Sequence, residues 1–484
     1  MTTPTMPTEA PDGPLTTVFP GPALDPALVT DLEGLGVPVS TDGDERAAQG
    51  RDWWPLTIGW IHEGRLPALA GAVVRPRHVN DVSAVMAAAS RHHVPVTPQG
   101  GRSGVVGGAV PSTGGIALDL TSLNAVLEID EVSGTVRVQA GCFGPELEQA
   151  LNARGFTCGH FPQSFELATV GGWLACRGAG QFSNRYGKIE DIVRGLTVVL
   201  ADGSIVETGG RGPRQAVGPD LTQLFVGAEG TLGVIVEATL VIRALPAHSE
   251  RATYSFDSVA EGLDACRRII QRGAFPAVLR LYDVAESQRN FSIDRCALIV
   301  LDEGDPALVA VTMGIVAAEC AAAVRESDDH VATWLAHRND VSALGPLWQK
   351  GFVVDTIEVA GPWSTLVPIH DAVTSALRAL PETLVASVHQ SHAYADGACL
   401  YFTFVGRPEK DPESYYRAAW DAASRAVLNG GGALSHHHGV GRNRARFVPD
   451  ALGSGYDVLT RIKSALDPDA VCNPGVLSLG GAPW

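Results

Sequence analysis

The sequence lacks the cysteine and histidine spacings that mark zinc sites and redox-active thiol pairs. It contains eight cysteines in 484 residues, and no two of them form a CxxC pair. No cysteine stands at a zinc-binding distance from a histidine along the chain. Scattered cysteines predict reduced thiols in the core of a cytoplasmic protein. They are Cys142, Cys158, Cys176, Cys266, Cys296, Cys320, Cys399 and Cys472.

Long apolar runs and an excess of positive charge are also missing. No stretch reaches the roughly 18 apolar residues of a membrane span. The formal net charge of −17 argues against nucleic acid or an anionic membrane surface as a partner. Residues 1–20 are rich in Thr and Pro and have neither the basic start nor the apolar segment of a secretory signal. We therefore expect no transmembrane segment, no nucleic-acid partner and a partly disordered extension over residues 1–49.

Glycine, by contrast, is concentrated in one place. Hydrophobic residues make up 45% of the chain and charged residues 18%, which suits a globular protein with a large core and more than one domain. Five glycines fall within the eleven residues 98–108. A loop of this kind lets main-chain N–H groups turn toward one anion without Cβ clashes. A pyrophosphate is the ligand that suits it best, and a surface linker is the structural alternative.

The residues that follow this loop decide which kind of pyrophosphate site it is. A Rossmann fingerprint or a P-loop would open a helix after its glycines. Here Ala109–Gly115 is followed by Ile116–Leu120, a short apolar strand. A dinucleotide loop between strands indicates a different flavin fold.

Hydrophobic periodicity divides the rest of the chain into two regions. In the first, a strand at 72–74 and a helix over 82–92, capped by Asn80 or Asp81, lead into the glycine loop. Strands at 116–140 and a hairpin of 192–200 with 204–208 follow, with a helix over 145–153 between them. After residue 246 the pattern starts afresh, with helices over 259–272 and near 307–326 and strands at 279–282, 297–301 and 384–404. The second region is therefore predicted to be an α+β cap with an antiparallel sheet.

Three motifs together resemble a known family. They are the glycine loop, Pro162–Arg177 and Val226–Ile235. The chain resembles the FAD-binding flavoenzymes typified by vanillyl-alcohol oxidase and p-cresol methylhydroxylase. Within that family it is most similar to the alkylglycerone-phosphate synthases. The segments that carry this closer similarity are Gln163–Glu166, Tyr186–Asp191, Asp396–Phe402 and Ser435–Gly441.

The resemblance implies a fold and a division into domains. The fold class is α+β, with a two-lobed FAD-binding domain of the p-cresol methylhydroxylase type and an α+β cap with an antiparallel sheet. We expect the FAD-binding domain over residues 50–246 and the cap over 247–430. Residues 431–484 are expected to return to the FAD site.

By resemblance, four stretches line the FAD, residues 98–104, 163–169, 176–179 and 229–235. Glycines supply open N–H donors there, and hydroxyl groups reach phosphate oxygens or the flavin edge. No histidine lies in the loop, where some relatives attach the flavin covalently, so we expect non-covalent FAD. The expected residues are Pro98, Gln99, Gly100, Gly101, Arg102, Ser103, Gly104, Gln163, Ser164, Leu167, Ala168, Thr169, Gly172, Cys176, Arg177, Ala179, Glu229, Gly230, Gly233, Val234 and Ile235.

The catalytic residues expected from the resemblance are Tyr401, Arg280 and the triplet His436, His437 and His438. Histidines with a pKa near neutrality suit proton transfer. Tyr401 could instead be a core tyrosine, and Arg280, which alternates with apolar neighbours, faces either solvent or the site. The nearest counterpart of a second substrate-binding arginine is Arg338.

No metal is expected in this site. Consecutive residues of a strand point to opposite faces, so the three histidines would not converge on one ion. The relatives that oxidise D-2-hydroxy acids carry a His-x-Gly-Asp-Gly-Asn-x-His metal motif, and the matching stretch here, Ala395–Tyr401, has no histidine pair.

Two enzymatic functions follow from the resemblance. The first is an FAD-dependent oxidoreductase that takes hydride from an alcohol or 2-hydroxy acid carbon and passes the electrons to oxygen or another acceptor. The alternative is a transferase that exchanges the acyl group of acyl-dihydroxyacetone phosphate for a fatty alcohol without net redox change. Either substrate is a small or lipid-like molecule, and a homodimer is left open.

Overall fold

Short strands and helices alternate along the computed structural model, which describes residues 16–21, 24–210, 212–340, 344–482 and 484. The strands are β1 (Thr16–Phe19), β2 (Val39–Ser40), β3 (Arg65–Ala68), β4 (Ala72–Val74), β5 (Val96–Gln99), β6 (Ile116–Asp119), β7 (Val126–Asp130), β8 (Thr135–Gln139), β9 (Phe156–Thr157), β10 (Val193–Val199), β11 (Ile205–Gly209), β12 (Val234–Val241), β13 (Arg243–Ala244), β14 (His248–Phe256), β15 (Val278–Tyr282), β16 (Cys296–Gly304), β17 (Val324–Glu326), β18 (Val353–Pro362), β19 (Thr383–Ala393) and β20 (Gly397–Gly406). The helices are α1 (Pro26–Gly34), α2 (Gly43–Ala48), α3 (Pro55–His62), α4 (Val79–Arg91), α5 (Gly144–Asn152), α6 (Val170–Ala175), α7 (Ser183–Tyr186), α8 (Ile189–Ile192), α9 (Leu221–Phe225), α10 (Val259–Gln271), α11 (Val284–Phe291), α12 (Pro306–Glu319), α13 (Asp329–His337), α14 (Leu344–Gln349), α15 (Leu366–Arg378), α16 (Pro412–Asn429), α17 (Val448–Leu452) and α18 (Ser454–Leu466). Two short 3₁₀ helices span Ala445–Phe447 and Val476–Ser478.

Two sheets form the first half of the chain. The four-stranded sheet has the order β2-β4-β6-β5, in which β4, β6 and β5 are parallel. The five-stranded sheet has the order β11-β10-β12-β8-β7 and is antiparallel. The unit β4-α4-β5 confirms the predicted strand, helix and strand, and the glycine loop leaves the carboxyl end of β5.

The start of α4 differs from the prediction. The helix begins at Val79, and neither Asn80 nor Asp81 is its N-cap residue. Asp81 stands inside the first turn, where its carboxylate accepts the N–H groups of Arg77 and His78 at 2.8 and 3.0 Å. An acidic side chain at this position satisfies donors that the helix leaves unpaired, so it stabilises the helix start from within.

The second half is built on a seven-stranded antiparallel sheet, as the sequence predicted. The strand order is β17-β14-β16-β15-β19-β20-β18. The helix predicted near residues 307–326 is longer than the observed one. Helix α12 ends at Glu319, and Val324–Glu326 forms the edge strand β17, paired with β14. No Gly or Pro marks this boundary in the sequence, so pairing with the sheet edge decides it.

Helices α10, α12, α15 and α16 bury their apolar faces against this sheet. In α10, Ser258 accepts the N–H of Glu261 at the first turn, and Leu263, Cys266 and Ile270 follow at helical spacing and are buried. Each fully buried large apolar side chain contributes about 1.5–3 kcal/mol. The opposite face packs in part on α11 and α13 and also carries polar side chains.

Strand register brings four of these side chains into one row on that opposite face. Glu358 of β18 pairs with Tyr401 of β20, Tyr401 pairs with His389 of β19, and His389 pairs with Tyr282 of β15. Cross-strand partners lie on the same face of a sheet. Arg280, two residues before Tyr282 on β15, shares that face.

The chain termini pack beside the first half. Of the extension expected over 1–49, residues 1–15 lie outside the described residues. Within the described part, β1 pairs with β3, and Leu28 and Leu32 of α1 are fully buried. At the other end, the N–H of Asn473 donates to the carbonyl of Val96 on β5 at 2.9 Å.

The cysteines are unpaired, as the sequence predicted. All eight cysteines are free thiols; seven are buried and Cys176 is half-buried. Among the described residues, no helix is long and apolar enough to cross a membrane.

Candidate active site

The glycine loop packs directly on the second predicted segment. A Cβ atom on Gly101 would lie 1.7 Å from the carbonyl oxygen of Leu167, and one on Gly100 would lie 2.2 Å from Oγ1 of Thr169. Only glycine permits main chain this close to its neighbour. The structure therefore brings residues 98–104 and 163–169 together, as the sequence predicted them to be near one ligand.

The loop presents unpaired donors and two cations. Within the described part of the chain, the N–H groups of residues 100–105 donate no hydrogen bond to the protein. Arg102 takes a left-handed backbone conformation, with φ of 52°, and its guanidinium donates to the carbonyl of Ala48. Burial and the nearby charge of Arg102 lower the pKa of Arg51 to about 10. Open N–H groups beside two arginines are chemically suited to a diphosphate.

Gln99 holds this loop rather than facing outward. Its side-chain amide donates to the carbonyls of Gln49 and Ala109 at 2.8 and 2.7 Å, which bridges the two ends of the loop. Gln163, by contrast, is exposed, and Ser164 lies in the turn that precedes Leu167.

The second segment leads into the short helix α6. Thr169 is its N-cap and accepts the N–H of Gly172 at 3.3 Å. After the helix, Arg177 has φ of 56° and its side chain, 55% exposed, pairs with Glu190 at 3.4 Å. Ala179 is buried. A Cβ on Gly172 would lie 3.4 Å from Oγ1 of Thr169, and one on Gly439 would lie 3.5 Å from the Cβ of Cys176.

The third segment joins the loop to the C-terminal part of the chain. Gly230 has φ of 75°, and a Cβ there would stand 3.1 Å from Pro98. The side-chain amide of Asn473 donates to the carbonyls of Gly108 and Glu229 at 2.9 and 2.8 Å.

Three predicted cofactor residues of this segment serve packing. Gly233 packs on Val198, and the side chains of Val234 and Ile235 lie in hydrophobic cores, so both residues offer only main-chain atoms to a ligand.

A loop of residues 435–441, named the His loop here, crosses from the cap sheet to the glycine loop. Glu358 accepts the hydroxyl of Ser435 at 2.6 Å and the N–H groups of His436, His437 and His438 at 3.2, 3.0 and 2.6 Å. Burial alone would raise the pKa of Glu358, but the buried guanidinium of Arg444 beside it holds that pKa well below its usual range. The carboxylate therefore stays charged and fixes the histidine main chain.

A second carboxylate fixes the other end of the His loop. Glu229 accepts the N–H groups of Val440 and Gly441 at 2.7 and 2.8 Å. Burial raises the pKa of Glu229 to about 7. A Cβ on Gly439 would lie 2.9 Å from this carboxylate, and one on Gly441 would lie 2.2 Å from the carbonyl of Val106. The His loop thus lies directly against the glycine loop.

The three histidine rings occupy different positions. His436 Nε2 lies 2.6 Å from the phenol oxygen of Tyr394, and its Nδ1 lies 2.8 Å from Nδ1 of His437. The His437 ring stacks on Tyr401, with centroids 6.0 Å apart. Burial lowers the pKa of all three, that of His438 to about 4. They are neutral imidazoles at neutral pH and can accept a proton.

Tyr401 is half-buried at the centre of the sheet face. Its hydroxyl donates to Oγ1 of Thr356 at 3.0 Å, and its ring stacks on His389 with centroids 4.7 Å apart. Burial raises the pKa of Tyr401. The phenol is therefore a donor, not a phenolate base, in this arrangement.

Arg280 points into the site and not to solvent. Its Nη2 donates to His389 Nε2 at 2.6 Å. A guanidinium only donates, so Nε2 of His389 is the acceptor and Nδ1–H must donate to Glu286, 2.8 Å away. The guanidinium carbons of Arg280 and Arg338 lie 5.4 and 5.8 Å from the centre of the Trp334 ring. Two cations thus flank one indole at the edge of the site.

The three histidines do not lie in a strand, so strand alternation, one of the two reasons for expecting no metal, does not apply. The His loop is bent, and donor atoms of His392, Cys399, His436 and His437 lie within 4.8 Å of one another. Both ring nitrogens of His392 are already hydrogen bonded, to Ser391 Oγ at 2.8 Å and to the carbonyl of Gly180 at 2.9 Å. Both ring nitrogens of His436 are engaged as well. A metal-free site stays a prediction.

Several residues of this site carry no sequence signal. Glu358, His389, Glu286, Arg51 and Asn473 stand in no motif, and each reaches the site only through the fold. A buried charged residue inside an apolar strand was the one available hint, as for Glu358 in Thr356–Val359.

The chain matches two family descriptions. Residues 70–209 match the "FAD binding domain" and residues 245–477 match the "FAD linked oxidases, C-terminal domain". FAD-linked oxidoreductase YgcU of Escherichia coli K12 is 30% identical over 435 residues, which cover 84% of this chain and 89% of that protein. Alkyldihydroxyacetonephosphate synthase of Trypanosoma brucei brucei is 29% identical over 88% of this chain and 75% of that protein.

Solved structures show the same fold. A structure of alkyldihydroxyacetonephosphate synthase superposes with a TM-score of 0.79 at 25% identity and covers 94% of this chain and 86% of that one. Substrate-bound p-cresol methylhydroxylase gives a TM-score of 0.76 at 16% identity over 94% of this chain and 96% of that one. The expected fold class is confirmed. With a glycine loop whose free N–H groups and arginines suit a dinucleotide, the chain belongs to the FAD-linked oxidoreductases of the vanillyl-alcohol oxidase and p-cresol methylhydroxylase type, and its cofactor is FAD.

Proposed function

We propose that this enzyme oxidises the carbon of an alcohol or 2-hydroxy acid and passes the electrons to oxygen or another acceptor. One observation carries the proposal. A neutral histidine, His437, stacks on Tyr401 in a loop whose later residue Gly441 packs on Val106 of the glycine loop, and the Arg280 cation lies on the same sheet face as Tyr401. A base, a hydrogen-bond donor and a cation are the groups that removal of hydride and proton from such a substrate requires.

FAD supplies the hydride acceptor when bound. The residues that would hold it are the free N–H groups of residues 100–105, Thr169 and the guanidinium groups of Arg51 and Arg102. No histidine lies between residues 98 and 108, so we expect the cofactor to be held without a covalent bond to this loop.

The protein side of the reaction divides among three groups. His437 accepts the hydroxyl proton, because burial keeps its ring neutral and no described residue hydrogen-bonds its Nε2. Tyr401 keeps its own proton and turns its hydroxyl from Thr356 to the substrate oxygen when the substrate binds. Arg280, held by His389 and supported by Arg338 across Trp334, binds an anionic group on the substrate.

A second function is favoured by a different observation. The similarity to alkyldihydroxyacetonephosphate synthases extends over most of the chain, and the position that pairs with His392 across the sheet is Cys399, where hydroxy-acid oxidising relatives carry a metal motif. The same His437, Tyr401 and Arg280 would then manage a proton and a phosphate while an acyl group is exchanged for a fatty alcohol. That reaction has no net redox change.

An anaerobic titration of the FAD-loaded enzyme separates the two functions. The visible spectrum is recorded with alcohols and D-2-hydroxy acids, and separately with acyl-dihydroxyacetone phosphate and a fatty alcohol. Bleaching of the flavin band by the first set, reversed by air, supports the oxidoreductase. Ether formation from the second set, without bleaching or added acceptor, rejects it in favour of the transferase.

A further inference from the structure

A cavity of about 280 Å³ opens beside the active site, between the first half of the chain and the cap sheet. Tyr186, Lys188 and Arg243 line it on one side, and Tyr394 with Ala395 lines it on the other. Lys188 Nζ stands 4.8 Å above the Tyr394 ring. Tyr394 is partly exposed, so its side chain connects this cavity with the interior.

An unbroken line of hydrogen bonds runs from this tyrosine to the reaction site. The phenol oxygen of Tyr394 lies 2.6 Å from His436 Nε2, and His436 Nδ1 lies 2.8 Å from His437 Nδ1. His437 Nε2 has no hydrogen-bond partner among the described residues, and its ring faces Tyr401. Each member of the line can both donate and accept one hydrogen, which is the requirement for moving a proton along it.

The surroundings keep the line neutral. Burial lowers the pKa values of His436 and His437 well below 6.5, and burial raises the pKa of Tyr394. The charged groups near the line are Glu358 and its partner Arg444 at the His loop, Lys188 above Tyr394, and the carboxylates of Glu190, Asp191 and Asp396 near the phenol. A lasting positive charge on either ring, or a negative charge on the phenol, is therefore unfavourable.

We propose that Tyr394 is the outlet of a proton relay that joins His437 to the cavity at Lys188. The proposal rests on the proposed function in that His437 is the base. His437 Nε2 gains the substrate proton while its Nδ1–H passes to His436 Nδ1. The Nε2–H of His436 passes to the Tyr394 oxygen, and the phenol hydrogen leaves to water in the cavity. One proton crosses, and no ring remains charged.

The relay also resets itself. After one outward transfer every hydrogen bond in the line points the opposite way, which is the polarity that delivers a proton inward. Reoxidation of the reduced enzyme by dioxygen yields hydrogen peroxide and takes up one proton. The oxidative half-reaction can therefore use the line in the state that substrate oxidation leaves.

The test needs no organic substrate. Photoreduced holoenzyme is mixed with air-saturated buffer in H₂O and in D₂O, and the rate of flavin reoxidation is followed. Tyr394→Phe should reoxidise at least about tenfold more slowly, since relayed acid catalysis contributes at least that much. The ratio of the reoxidation rates in H₂O and D₂O should differ between Tyr394→Phe and the native enzyme. Tyr186→Phe is the matched control, because Tyr186 lines the same cavity but donates to Glu303 and lies outside the line.

Rescue distinguishes proton transfer from a packing defect. Tyr394→Ala joins the cavity to His436, so imidazole should restore much of the lost rate. A native rate in Tyr394→Phe, or a slow Tyr394→Ala enzyme that imidazole leaves slow, would overturn the relay. A failed search for alcohol substrates would leave this oxygen assay unaffected and would count only against the proposed function.

A spectroscopic measurement covers the case of an unstable variant. In histidine-¹⁵N-labelled native holoenzyme, His436 and His437 should both be neutral at pH 6 and share one hydrogen between their Nδ1 atoms. A protonated His436 at that pH would contradict the proposal.

Discussion

The glycine loop and the His loop lie against each other but use their main chains in opposite ways. Among the residues that the structure describes, none accepts a hydrogen bond from the N–H groups of residues 100–105, which leaves these groups available to a ligand. In the His loop, Glu358 and Glu229 take the N–H groups of five residues, which leaves only side chains to act. The glycine loop offers its main chain to a ligand. In the His loop the main chain is held by carboxylates, and the imidazole rings are the groups that can react.

Removing the carboxylate beneath the His loop should have the largest effect. Glu358→Ala leaves the fully buried Arg444 without its partner and frees three N–H groups. Breaking a buried ion pair in this way costs about 3–5 kcal/mol of unfolding free energy. Urea unfolding measures the loss. The exposed Glu63→Ala should change stability little, and equal losses in both variants would contradict the anchoring role.

Changing a ring in the same loop should affect the reaction and spare the structure. His437→Gln keeps the N–H that Glu358 binds but removes the base, so flavin reduction by substrate should slow about 10²–10⁴-fold. FAD content and melting temperature should stay close to native. Stopped-flow reduction gives the rate, with the exposed His337→Gln as the control. Loss of FAD together with the rate would show that the ring supports the fold.

A methyl group in the glycine loop should act on cofactor affinity instead. The Cβ of Gly101→Ala collides with the Leu167 carbonyl, and the forced shift disturbs the run of free N–H groups. Such overpacking costs about 1–3 kcal/mol, which is about 5- to 150-fold in FAD affinity. Titration of the apoprotein with FAD measures it. Gly314→Ala, whose Cβ meets nothing within 4 Å, should bind FAD normally.

The smallest effect concerns acid stability. Burial lowers the pKa of His438 to about 4, so between pH 4 and 6.5 the unfolded chain binds more protons than the folded one. The stability linked to this group is full above pH 6.5 and falls as the pH falls toward 4. Glu229 and Asp52, with pKa values raised by burial to about 7, act in the opposite sense.

A variant isolates the histidine contribution from those two acids. His438→Gln should lose less unfolding free energy than the native protein between pH 7 and pH 5, by about 1–2 kcal/mol. Denaturant unfolding at the two pH values gives the comparison. An identical pH dependence in both proteins would mean that His438 titrates normally in the fold.

The same contrast explains what could be predicted from sequence. A run of glycines indicates a backbone that approaches a ligand closely. The loop at residues 98–108 and the segment at 163–169 were therefore predicted to lie near one ligand. The histidines are equally visible as residues. Their anchors are not, because Glu358 lies 77 to 80 positions from the groups it binds and Glu229 lies 211 and 212 positions away.

Strand register is the second limit. Alternation predicted the cap strands, but it does not say which residues face each other across them. The row of Glu358, Tyr401, His389 and Tyr282 depends on three separate pairings. The environment of Arg280 could therefore be determined only from the fold. The end of α12 was predicted wrongly for the same reason, because pairing at a sheet edge decides it.

The double attachment of the His loop also limits how such enzymes can be recombined. Its first residues are bound by a carboxylate of the cap sheet and its last residues by a carboxylate of the cofactor half. In a chimaera whose chain after residue 247 comes from a relative, Glu229 would face a His loop from the other protein. To change substrate range by exchanging domains, residues 435–444 would have to be transferred with the cap. The recipient protein would also need a carboxylate equivalent to Glu229.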